Sequence, residues 1–232
     1  MDQRALTIGE GRSTTEKQPL IVRGLAHILS YVFHPLFIPL YAAYFLIYIH
    51  PSYFTGFGDH TYLNDFSKSR VLLQVIINAL MFPFVAVLLL KGLGFIESIF
   101  FRNQQDRVLL YITSMIFFFW SYYSMREQPD IPRILVAFMF GVFISSSAAL
   151  IANIYYKVSM HAIGMGGMIG LFLVVMQQHN MLMTGPLFMA VLIAGAVCTA
   201  RMIVSDHTPK EIYAGLLIGI LCQVAGAVVN LS

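Results

Sequence analysis

The stretch ARMIVSDHTPKE, residues 200–211, gathers Arg201, Asp206, His207 and Glu211 into one short junction of an otherwise apolar chain. A second junction, KVSMH at 157–161, supplies Lys157, Ser159 and His161. Residues of these types suit phosphoryl transfer at a membrane surface. A phosphate monoester or diphosphate needs several fixed cations, and the planar fork of arginine binds two oxygens at once. Attack on phosphorus needs a nucleophile that is unprotonated near neutral pH, which imidazole provides. The departing alkoxide needs a proton, which a second histidine can supply. Two histidines, two or three cations and a carboxylate are thus the parts of a metal-free site. A structural reading competes at Glu211. Thr208-Pro209-Lys210-Glu211 has the form of a capping box, with Thr208 as N-cap, proline at the first helical position and Glu at the third.

The elements that must position these residues follow from composition. Of 232 residues, 58% are hydrophobic and only 11% charged, whereas a soluble domain carries roughly a quarter charged residues. A bilayer is therefore the expected solvent. The net charge of +3 is too small to suggest nucleic acid as a partner. Cys198 and Cys222 sit inside apolar runs and read as small buried hydrophobes, not as a disulfide or metal site. Residues 1–20 read as a polar mobile tail and 21–232 as a transmembrane helical domain. A membrane helix needs about 20 mostly apolar residues. Seven stretches qualify, at 25–49, 71–95, 108–125, 132–153, 160–177, 183–204 and 211–231. The expected fold is an all-α, polytopic helix bundle. The first stretch contains His34, Pro35 and Pro39, so it is expected to be kinked or re-entrant.

Helix parity then sorts the charges. Loops after the second, fourth and sixth spans share one face, and with the residues flanking them they bring Lys91, Arg102 and Arg107, then Lys157 and His161, then Arg201, His207 and Lys210. The opposite face receives Lys68, Arg70, Arg126 and Arg133. Lysine and arginine at helix ends also serve as topological anchors. That accounts for Lys91, Arg102 or Lys210 taken singly but not for the histidines.

The spacing resembles the type 2 phosphatidic acid phosphatase superfamily, whose signatures are K-x6-R-P, P-S-G-H and S-R-x5-H-x3-D. Arg201, His207 and Glu211 match the third, with Ala200 for Ser and Glu for Asp. VSMH, ending at His161, is similar to the second and keeps Ser159. The first signature is missing. Arg126 and Arg133 have its spacing without the proline and fall on the wrong face, so they read as a decoy. The resemblance covers roughly 71–231 and implies a six-helix core with an extra N-terminal helix. It also implies His207 as nucleophile through a phosphohistidine, Glu211 as its orienter and His161 as general acid. Arg201, Lys157 and Ser159 would bind phosphate, with Arg107 and Arg102 replacing the first signature. No metal or other cofactor is implied.

The implied substrate is a lipid phosphate or diphosphate whose tail stays in the bilayer, and the implied location is a bacterial cytoplasmic membrane. The alternative is an inactive relative that binds or moves anionic lipid. Seven crossings would put the N-terminal tail and the site on one side. His34, His50, His60 and His179 carry no partner pattern and read as structural, and Asp206 as a solvated loop acid or cap. The glycines of GMGGMIG, 164–170, suit close helix packing against Gly215 and Gly219 rather than a phosphate loop.

Overall fold

Lipid offers the backbone no hydrogen-bond partner, so a chain this apolar must satisfy its amides within helices. The structure, a computed structural model, describes residues 18–49, 65–96, 104–179, 183–204 and 207–231. No strand occurs among them. Among the described residues, seven helical stretches are long and apolar enough to cross a membrane, as expected for a multi-pass protein. They begin with α1 (Leu20–Val32), a 3-10 turn (Pro35–Phe37) and α2 (Ile38–Tyr44), which continues as a π turn to Ile49. Next, α3 (Asp65–Val75) passes through a π turn (Ile76–Met81) into α4 (Phe82–Gly92). The rest are α5 (Gln104–Arg126), α6 (Arg133–Tyr155), α7 (Met160–His179), α8 (Thr184–Val204) and α9 (Pro209–Leu231).

The first two helical stretches start earlier than the apolar runs, at Leu20 and Asp65. Hydropathy marks only the buried length, and the polar turn Asp65–Arg70 extends the second helix beyond it. Helix is already present at Leu20, within the stretch expected to be polar tail. Pro83 follows the π turn. It has no N–H for the Ala79 carbonyl, and a wider turn absorbs the lost bond.

Helix α9 is the spine. It packs most extensively against α7 and α6, and glycine makes both approaches possible. A Cβ at Gly219 would strike the Ile163 carbonyl, and one at Gly166 the Leu216 carbonyl. One at Gly215 would lie 2.9 Å from the Ser159 carbonyl. The glycines of α7 and α9 thus do meet, as their spacing predicts, and backbones touch where lipid gives no hydrophobic drive to association. On the α6 side, a Cβ at Gly226 would lie 2.8 Å from the Ala137 carbonyl. Gln223 is buried in this seam, donating to the Phe138 carbonyl at 3.4 Å, with Gly141, Gly167 and Gly170 making room for its side chain. Outward residues such as Leu192, Leu217, Leu221 and Val228 are exposed, as lipid-facing positions require.

The first stretch is kinked where His34 and Pro35 place it. Helix α2 runs beside α7 in the same direction, since Ile38 lies at Gly164 and Phe45 packs edge-on to Phe172 at 4.9 Å. Helix α1 packs on α8 instead. The break between them lies over the start of α7.

Candidate functional site

Three junctions meet at one end of the bundle. The turn after α6 is tied to α9 by the Ser159 N–H, which reaches the Glu211 carbonyl at 3.5 Å. His161 opens α7, Arg201 closes α8, and His207 precedes α9. The first-stretch break joins them through His34, whose ring meets the His161 ring edge to face with centroids 5.4 Å apart.

The α9 start fixes His207. Thr208 Oγ1 accepts the Glu211 N–H at 3.4 Å, and Glu211 Oε2 accepts the Thr208 N–H at 3.0 Å, so the capping box forms. The same Oε2 accepts the His207 Nδ1–H at 2.9 Å. The cap and the orienter, set against each other in the sequence, are one contact: the backbone amide pins the carboxylate that holds the ring. Neutral His207 then carries its proton on Nδ1 and keeps the Nε2 lone pair. Both side chains are sheltered, 11% and 14% exposed. Burial holds His207 below the ordinary histidine range. Glu211 pulls it up by hydrogen bond and charge, and nearby Lys157 and Arg201 push it down again.

His161 lies within electrostatic reach of Arg201, His34 and His207. Its Nε2–H is already used, since it donates to the Ser30 carbonyl of α1 at 3.1 Å. A proton for a leaving group would therefore have to leave from Nδ1, or from Nε2 after α1 moves. Ser159 is fully buried, and its Oγ has no hydrogen-bond partner among the described residues.

The structure thus brings together His161, His207, Glu211, Arg201 and Lys157. Arg107 is at the same end, but its Nε donates to Asn153 Oδ1 at 3.1 Å, across the α5–α6 seam. Arg102, Asp206, His50 and His60 lie outside the described residues, as does the side chain of His179. His34, read as structural, caps the 3-10 turn through Nδ1 and also packs edge to face on His161. The helix-breaking proline beside it was the one signal of that position. Arg126 pairs with Glu127 at the other end, at 2.7 Å. Among the described residues no three His, Cys, Asp or Glu side chains group as metal ligands. No known protein family, curated protein or solved structure matches the chain.

Proposed function

We propose that the protein is a lipid phosphate phosphohydrolase, a divergent relative of the type 2 phosphatidic acid phosphatases, in a bacterial cytoplasmic membrane. The observation that carries this reading is the 2.9 Å contact between His207 Nδ1 and Glu211 Oε2, with Lys157 and Arg201 close enough to act on the same ring. In the reaction, His207 Nε2 attacks phosphorus and the bond to the leaving oxygen breaks; that oxygen, an alkoxide from a monoester or a lipid monophosphate from a diphosphate, takes a proton from water, giving phosphohistidine and the lipid product. Water then attacks the phosphohistidine and releases inorganic phosphate. Glu211 stabilises the imidazolium charge that forms, as a triad carboxylate does. Arg201 and Lys157 hold the phosphoryl oxygens. The lipid tail remains among the exposed apolar faces of the bundle.

The test is phosphate release in detergent micelles from a panel of phosphatidate, polyprenyl diphosphate, phosphatidylglycerophosphate and lipid A phosphates. Activity is expected to persist in EDTA, because the positive charge comes from side chains. It is expected to leave an acid-labile, base-stable phosphoryl label on the wild type that His207→Ala lacks. No release from any substrate would refute the reading. One observation favours the rival, a protein that binds anionic lipid without turning it over: the His161 proton is committed to Ser30. In that case lipid phosphates bind, and neither phosphate nor label appears.

A further inference from the structure

The last carbonyls of a helix lack partners in the regular ladder beyond its end, and all four of α1's are taken. Leu29 O takes the Phe33 N–H at 3.0 Å, and Tyr31 O takes the His34 N–H at 3.4 Å. Val32 O takes the Tyr41 hydroxyl at 2.7 Å, and Ser30 O takes His161 Nε2–H at 3.1 Å. These bonds span the break, and the turn that follows it positions His34. His34 caps the 3-10 turn, its Nδ1 accepting the Leu36 N–H at 3.3 Å. A ring whose Nδ1 accepts carries its proton on Nε2 in the neutral form. The rings of His34 and His161 therefore differ in use: the Nε2–H of His161 is spent on a carbonyl, and that of His34 makes no hydrogen bond among the described residues. His34 is also within electrostatic reach of Arg201.

We propose that His34 is a third imidazole of the site, and that its Nε2–H donates to an oxygen of the phosphoryl anion held by Arg201 and Lys157. The first stretch then contributes a binding residue to a site otherwise built from the α6–α9 junctions. This rests on the proposed function only for the anion's being part of a lipid; a phosphoryl oxygen is the acceptor in either case. Histidine here does two jobs with two nitrogens, and two substitutions separate them. Asparagine places an acceptor near Nδ1 and is a good N-cap, so His34→Asn keeps the turn and loses the donor. Glutamine places an amide N–H near Nε2, so His34→Gln keeps the donor and loses the cap.

The experiment measures the affinity of the full chain in detergent for inorganic phosphate, by 31P NMR, alongside thermal unfolding and lipid phosphate hydrolysis. The expected result is a loss of about tenfold in phosphate affinity for His34→Asn at unchanged thermal midpoint, the size of one charge-assisted hydrogen bond. His34→Gln is expected to stay within about threefold of the wild type. Equal affinities in the two variants, the reverse order, or no phosphate binding by the wild type overturns the inference. Hydrolysis by the wild type with equal variants sinks the inference and leaves the proposed function standing. The expected order without hydrolysis of any lipid does the opposite.

Discussion

The two ends of the bundle carry similar ionisable residues in different surroundings. At one end, Arg70 meets Asp130 at 2.6 Å with the side chains 45% and 46% exposed, and Arg126 meets Glu127 at 2.7 Å with 47% and 70% exposed. At the other, His207 meets Glu211 at 2.9 Å with 11% and 14% exposed. Exposed pairs are screened and contribute about 0–1 kcal/mol. Sheltered groups feel one another strongly enough to change what they are at neutral pH. The pairs differ in burial as well as in residue type, while distance ranks them the other way. Burial also explains why the Arg126–Arg133 spacing misleads: the signature's intervals are present, but the residues face solvent at the wrong end.

The sharpest way to break the comparison is to remove one group from each end. His207→Ala is expected to reduce phosphate release by at least about four orders of magnitude, the scale at which losing a nucleophile silences an enzyme. Its thermal midpoint should change little, because the ring precedes α9 and is not part of the α7–α9 seam. Arg126→Ala is expected to leave release within about twofold, since an exposed pair carries little energy. Comparable losses in both variants would erase the distinction between the ends.

Glu211→Gln sharpens it. The Thr208 N–H demands an oxygen at the Oε2 position, so the glutamine carbonyl is held there and still accepts the His207 Nδ1–H. What goes is the charge. The rate is therefore expected to fall by about 10–100-fold, the range for one hydrogen bond to a charged group converted at 1.4 kcal/mol per decade, with the cap and the stability retained. The loss of the carboxylate charge, one of the two influences that raise it, also lowers the His207 pKa further, so the acid limb of the pH–rate profile moves to lower pH. A glutamine variant with full rate and an unmoved limb would leave Glu211 as a cap alone.

Much of this end was legible beforehand because its information is local. His207 and Glu211 are four apart across a helix start, and Thr208-Pro209 announces that start. The spans were legible because lipid selects long apolar runs, and the glycines of 164–170 were legible because close approach in lipid needs small residues. His34 was not, since its partner lies in another span and depends on how α2 settles beside α7. Nor was the Arg107–Asn153 bond, which depends on the facing of α5 and α6. That Glu211 serves cap and histidine with one oxygen was also out of reach, because spacing permits either role and only geometry combines them.

Lys157 gives a smaller effect of opposite sign. Its charge is one of the influences holding His207 low, so Lys157→Met is expected to move the acid limb upward, toward the ordinary histidine value, together with a several-fold rise in KM. The folded chain should show the matching stability trend. A histidine whose folded pKa is depressed leaves the unfolded state binding more protons, so stability is lost as pH falls below about 6.5. Lys157→Met should weaken that dependence. A downward shift of the limb, or none, would separate Lys157 from His207.

The smallest expected effect is at the far end, and it tests whether burial is the right variable. Arg70 and Asp130 make the shortest charged contact of the described pairs, so a ranking by distance would make them the strongest. A ranking by burial makes them weak, because water reaches both side chains and salt screens them. A double-mutant cycle with Arg70→Met and Asp130→Asn, read by denaturation in detergent, is expected to give a coupling of about 0.2–1 kcal/mol that shrinks as salt is raised. Neither single variant should alter phosphate release. The pair joins the start of α3 to the turn between α5 and α6, so a larger, salt-insensitive coupling would mean that this end also excludes water. The contrast with His207 and Glu211 would then have to rest on the histidine, and not on shelter.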